Sequence, residues 1–225
     1  MSRLFVALFL LCGIQVGSTQ SKSVSPFNAI STSGSVQVEL IQGDSPKVDY
    51  TIIKGDSEDL IIEVKGQELQ VKIKSNSFWN RSETKAKVTV YYQTLKSIDC
   101  AAGSSIRAEN EIVSTTMDIE SSSGANCNVI VKSDDLNVDS SSGSKVIVHG
   151  TSNSVNYDAS SGARIDAEGM MASVAVADVS SGASIALHAS KKLNADASSG
   201  GSIKYKGNPE KTNIHSGFSG SIKSY

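Results

Sequence analysis

Asp158-Ala159-Ser160-Ser161-Gly162-Ala163-Arg164-Ile165-Asp166-Ala167 is the stretch whose reading decides the fold. Its Ser, Gly and Ala alone read as a flexible linker. The copies around it refuse that reading. An Asp-x-Ser-Ser-Gly element, or a near copy, places glycines at 103, 124, 143, 162, 182 and 200, in steps of 21, 19, 19, 20 and 18 residues. A worn further copy runs from Ser216 to Gly220. Periods near 20 residues are the mark of a solenoid.

Alignment on those glycines sorts the residues into columns. Three places after Gly stand Ile106, Cys127, Val146, Ile165, Ile185 and Ile203. Five after stand Ala108, Val129, Val148, Ala167, Leu187 and Tyr205, and five before stand Ile98, Ile119, Val138, Tyr157, Ala177 and Ala195. The places between are polar. Each Ser-Ser-Gly is therefore a corner between two strands of period two, with the apolar columns pointing inward. Small residues beside the corner, such as Ser140, Ala159, Ala163 and Ala183, let the chain pinch at the bend. Gly150, Gly169 and Gly207 mark a second corner in three coils. One coil cannot bury its inner face alone, so coils must stack, about 4.8 Å apart, and share one interior. The expectation is an all-β chain, a right-handed parallel β-helix or β-solenoid with coils of about 20 residues. Handedness here rests on the general rule for parallel crossovers.

Upstream the grammar changes. Val36 to Leu40, Leu60 to Val64, Leu69 to Ile73 and Val88 to Tyr91 alternate apolar and polar residues, as short strands with one buried face do. Residues 19–97 thus form an N-terminal strand region continuous with the solenoid of 98–225. Residues 1–18 read as a secretory signal: Arg3, the apolar run from Leu4 to Val16, then Gly17 and Ser18. Leu11 before Cys12 is not the small residue that a lipidation signal wants. No later stretch is long and apolar enough to cross a membrane. The expected address is the periplasm, the outer cell surface or the medium.

With 23 acidic and 21 basic residues in 225, charge makes no case for nucleic acid. Twelve aromatics are few, so the core must be aliphatic. Three Cys without C-x-x-C spacing exclude a disulfide-stapled or Cys-zinc scaffold. Cys100 and Cys127 fall on inward positions in different columns, so they read as small buried thiols and no disulfide is expected.

Leu95-Lys96-Ser97-Ile98-Asp99 leading into Ala101-Ala102-Gly103-Ser104, and then the Ser-Ser-Gly-Ala coils, resemble the putative auto-transporter adhesin, head GIN domain family. Phe27-Asn28-Ala29-Ile30 followed by Gly34-Ser35-Val36-Gln37-Val38 carries the same resemblance. It covers roughly residues 24–222. It implies an exported β-solenoid of Gram-negative bacteria and brings no catalytic motif.

Three sets of residues are candidates for function. The column four places before each Gly holds Asp99, Glu120, Asp139, Asp158, Asp178 and Asp196. Stacked carboxylates repel. Either their own turns' hydroxyls and N–H groups satisfy them, as in Asx turns, or calcium bridges neighbours such as Asp139, Asp158 and Asp178. The column six places after holds His149, Glu168 and His188, which read as a zinc ladder or as a solvated charge ladder continued by Lys206. The loop Ser75 to Thr84 carries Phe78 and Trp79, either a sugar-stacking pair or a lid over an exposed end of the core. No other cofactor is implied.

Catalytic motifs such as G-x-S-x-G and H-E-x-x-H are missing, and the aliphatic columns leave no pocket inside the coil. The reading is a non-catalytic, adhesin-like binding or structural protein of the cell envelope, with a cell-surface glycan or envelope protein as partner. The alternative is a glycan-cleaving enzyme, a polysaccharide lyase or hydrolase, on a β-helix. End-to-end stacking into filaments is a third reading.

Overall fold

The computed structural model describes residues 19–74 and 83–225. The proposed signal segment and the Phe78-Trp79 pair lie outside the described residues. The chain is a parallel β-solenoid. Eight short strands come first: β1 (Gln20–Ser23), β2 (Ala29–Ser33), β3 (Val36–Gln42), β4 (Lys47–Lys54), β5 (Leu60–Lys65), β6 (Glu68–Ile73), β7 (Lys85–Tyr92) and β8 (Ser97–Ala101). Five long strands then wrap from one corner to the next: β9 (Ser105–Ser121), β10 (Asn126–Ser140), β11 (Lys145–Ala159), β12 (Arg164–Val179) and β13 (Ser184–Ala197). β14 (Ser202–Lys206), β15 (Lys211–Ser216) and β16 (Ser221–Ser224) close the series.

The ladder registers repeat the spacing of the glycines. Ser105 pairs with Asn126, Asn126 with Lys145, Lys145 with Arg164, Arg164 with Ser184 and Ser184 with Ser202, all in parallel. The inward columns predicted from the sequence are buried from Ile98 through Ile203, and only Tyr205 in the last coils is partly open. Val, Ile, Leu and Ala side chains fill the interior.

Each corner is a tight turn with two left-handed residues. At the Gly124 corner the Ala125 N–H donates to the Ser122 carbonyl at 3.1 Å, with Ser123 at φ 53° and Gly124 at φ 72°. That is the type I′ pattern, which demands positive φ at both central places. Glycine meets the second place at no steric cost, and serine tolerates the first. Corners are also bonded to one another: the Gly103, Gly124, Gly143, Gly162 and Gly182 N–H groups donate to the serine carbonyl one coil on, at 3.0 to 3.1 Å.

At the N-terminal end, spatial order departs from chain order. β3 lies between β7 and β9, and β2 lies between β6 and β8, all parallel. The first coil is thus sandwiched between later ones. Beyond it β4 runs antiparallel to β7, and β5 antiparallel to β6. β1 adds a last antiparallel edge on β4. The link from β3 to β4 passes over the end of β7, where the Gly43 N–H donates to the Tyr92 carbonyl at 2.8 Å. Reversal of strand direction closes this end of the stack.

Candidate functional site

With the interior filled, chemistry is confined to the outer walls. The acidic column is assembled as its spacing predicts. Asp99 pairs with Glu120, Glu120 with Asp139, Asp139 with Asp158, Asp158 with Asp178, and Asp178 with Asp196. The expected Asx bonds are not formed: among the described residues no hydroxyl, amide or N–H group reaches the carboxylates of Asp139, Asp158 or Asp178. Only Asp99 receives one, from the Ser31 hydroxyl at 3.3 Å. Partial burial in the wall raises the Asp139 carboxyl above the usual range, and the charges of Asp158 and Asp118 add to it. Asp178 is raised in the same way, by burial and then by Asp196 and Asp158.

His149, Glu168 and His188 are not brought into one line. The β11–β12 ladder slips between Ile147 and Gly150, and the β12–β13 ladder slips again between Ala167 and Met171. His188 therefore stands opposite Met171 on one side and Lys206 on the other. Glu168 reaches Lys206, at 3.7 Å. His149 folds over Gly169, where an added Cβ would land on its Nδ1. Burial, and then the neighbouring Lys206, lowers the His188 pKa, which favours the neutral ring. Its Nδ1 is buried without a hydrogen-bond partner among the described residues. Among the described residues no three His, Cys, Asp or Glu side chains converge closely enough to hold a metal ion.

Cys100 and Cys127 are buried and unbridged. The Cys100 Sγ lies 3.3 Å from the Ser104 hydroxyl and 3.4 Å from the Asn126 carbonyl. Burial pushes both thiols up, which keeps them protonated and unreactive.

A feature that the sequence columns missed lies on the wall where the four coils from β9 to β12 bend. Val113, Lys132, Thr151 and Met171 stack in one column, and Ser114, Ser133, Ser152 and Ala172 in the next. Together with Asp134 and Asn153, all of these but the buried Ala172 line an open groove of about 450 Å³. The signal available in the sequence was slight: a serine recurring at 114, 133 and 152, beside apolar residues at 113 and 171.

These features define a class: a parallel β-solenoid with a filled aliphatic interior and ordered polar columns on its walls. The chain belongs to the putative auto-transporter adhesin, head GIN domain family, which it matches over residues 26–209. Solved structures share the fold. A putative adhesin from Bacteroides fragilis superposes with a TM-score of 0.82 at 23% identity, over 92% of this chain and 96% of its own. A putative lipid binding protein from Parabacteroides distasonis gives 0.75 at 23% identity, over 95% and 98%. A putative adhesin from Parabacteroides merdae gives 0.71 at 18% identity, over 95% and 98%. At these identities the likeness is one of fold. No curated protein matches the chain. Among the described residues no helix is long and apolar enough to cross a membrane.

Proposed function

We propose that this chain is an exported, non-catalytic binding or structural protein of the cell envelope, led across the inner membrane by residues 1–18. The observation that carries this reading is the contrast between interior and wall. Among the described residues the inward columns are filled by side chains such as Leu136, Val148 and Leu187, each at most 1% exposed, which leaves little room there for a lipid chain. The walls carry polar side chains held in register over successive coils. A stiff, regular, polar surface suits recognition of an extended partner. Membership of the adhesin family agrees with this reading.

The test is expression of the whole chain in a Gram-negative host, followed by fractionation and N-terminal sequencing. The mature protein is expected outside the cytoplasm, beginning close after Ser18. Retention in the cytoplasm with the leader intact overturns export. The same purified protein, incubated with envelope polysaccharide, is expected to release no reducing ends. Their release would establish the glycan-cleaving alternative.

A further inference from the structure

We infer that the groove at the bend of β9 to β12 is a binding site for a linear oligosaccharide lying along the solenoid axis. This deepens the proposed function, on which it rests, by naming the site and the class of ligand. Val113 is 61% exposed and Met171 53%, two of the few large apolar side chains turned to solvent among the described residues. They stand in one column, separated by Lys132 and Thr151. Three coil spacings put them about 14 Å apart. An apolar side chain at each end with polar groups between suits a chain that presents C–H faces and hydroxyls in turn.

The floor is rigid and hydrogen-bonded. The Ser133 hydroxyl donates to Ser152 Oγ at 3.3 Å, and the Ser152 hydroxyl donates to the backbone, with the Ser154 carbonyl at 2.9 Å and the Asp134 carbonyl at 3.0 Å. Asn153 Nδ2 donates across the coils to Asp134 Oδ1 at 2.9 Å. That bond orients both side chains and leaves Asn153 Oδ1 and Asp134 Oδ2 with no protein partner among the described residues. Lys132 makes no ion pair among the described residues. The groove thus offers fixed acceptors and a free ammonium on a wall whose axial repeat is close to the advance of one pyranose along a chain.

Other occupants fit less well. A peptide strand would need free backbone N–H and C=O groups, and the ladders on both sides of β10 and β11 use them. An acyl chain would lie on a serine floor. Nucleic acid would find Asp134 as well as Lys132 among the lining groups.

The experiment measures binding of the purified chain to two probes, chitotetraose and tetragalacturonate, by calorimetry. Binding of at least one probe is expected, with Lys132 favouring the acidic one. Met171→Ala and Asn153→Ala should each weaken it by about tenfold, with unchanged melting temperatures because both side chains lie on the surface. Asp178→Asn, which alters the acidic column, should leave affinity unchanged. Failure of the wild-type chain to bind either probe overturns the inference, as does binding that survives both groove variants. The second result would leave an adhesin-like role standing with its site elsewhere, and neither result touches the export test.

Discussion

Tyr157 pairs directly with Ala177 across two neighbouring coils, and this step from a large to a small side chain sits inside the filled interior. On its other side Tyr157 pairs with Val138. The aromatic ring therefore fills space that the alanine column leaves. Its hydroxyl is buried without a hydrogen-bond partner among the described residues, which costs free energy that no bond returns. Tyr157→Phe is expected to raise stability by about 1 kcal/mol. Tyr157→Ala should lower it by about 3–5 kcal/mol, as cavities in packed cores do. Urea unfolding of both variants checks the pair. A phenylalanine variant weaker than wild type would mean that the hydroxyl is satisfied.

The Ser-Ser-Gly corner glycines and Gly150, which lies inside β11, should respond differently to the same substitution. An added Cβ at Gly162 meets nothing within 4 Å, so only its positive φ, 72°, resists a side chain. Gly162→Ala should cost about 1–2 kcal/mol. At Gly150 the φ is 119° and the added Cβ would land on the Val131 carbonyl oxygen. Gly150→Ala must therefore move backbone as well, and a larger loss of melting temperature is expected. Ser161, at φ 53°, is the converse case: Ser161→Gly removes left-handed strain and should be neutral or stabilising by up to about 1 kcal/mol. Equal losses at Gly162 and Gly150 would show that close approach of the coils matters little.

Cys100 and Cys127 should be silent in the native protein. Both are buried, and burial raises both thiols. Iodoacetamide is expected to label neither until denaturant is added, and mass spectrometry of quenched samples reads the outcome. Native labelling of Cys127 would mean that the coil around β10 opens without global unfolding.

The corners and the inward columns were legible because each requirement recurs. A left-handed place leaves a glycine every 18 to 21 residues, and a buried place leaves an aliphatic at a constant distance from it. What did not recur could not be read. Insertion of β7 between β3 and β4 depends on pairing between strands distant in the chain, which no local pattern records. The slips that separate His149, Glu168 and His188 arise where coils of unequal length absorb their extra residues, and glycine alignment is blind to where that happens. The groove takes its lining from four coils and largely from ordinary serine, threonine and asparagine, so the serine recurring at 114, 133 and 152 was too common a residue to mark it in advance.

The acidic column should destabilise the fold at neutral pH. Asp139 and Asp178 have folded-state pKa values above the ordinary 3.8, first through burial and then through the like charges stacked beside them. A carboxyl whose folded pKa is raised binds more protons in the native state than in the unfolded one. Its favourable contribution is therefore complete below 3.8 and is lost as pH climbs through the raised value. Asp178→Asn removes the charge between Asp158 and Asp196 in the stack. The variant should melt higher than wild type at neutral pH, and the difference should shrink toward zero as the column is protonated. Repeating the neutral measurement with EDTA and with excess calcium tests the other reading of these carboxylates. If Asp139, Asp158 and Asp178 held calcium, the ion would stabilise the wild type and the substitution would forfeit that gain. The expected result is a higher melting temperature for the variant in both buffers. A variant that is more stable in EDTA but less stable in calcium would turn the column from a strained wall into a metal site.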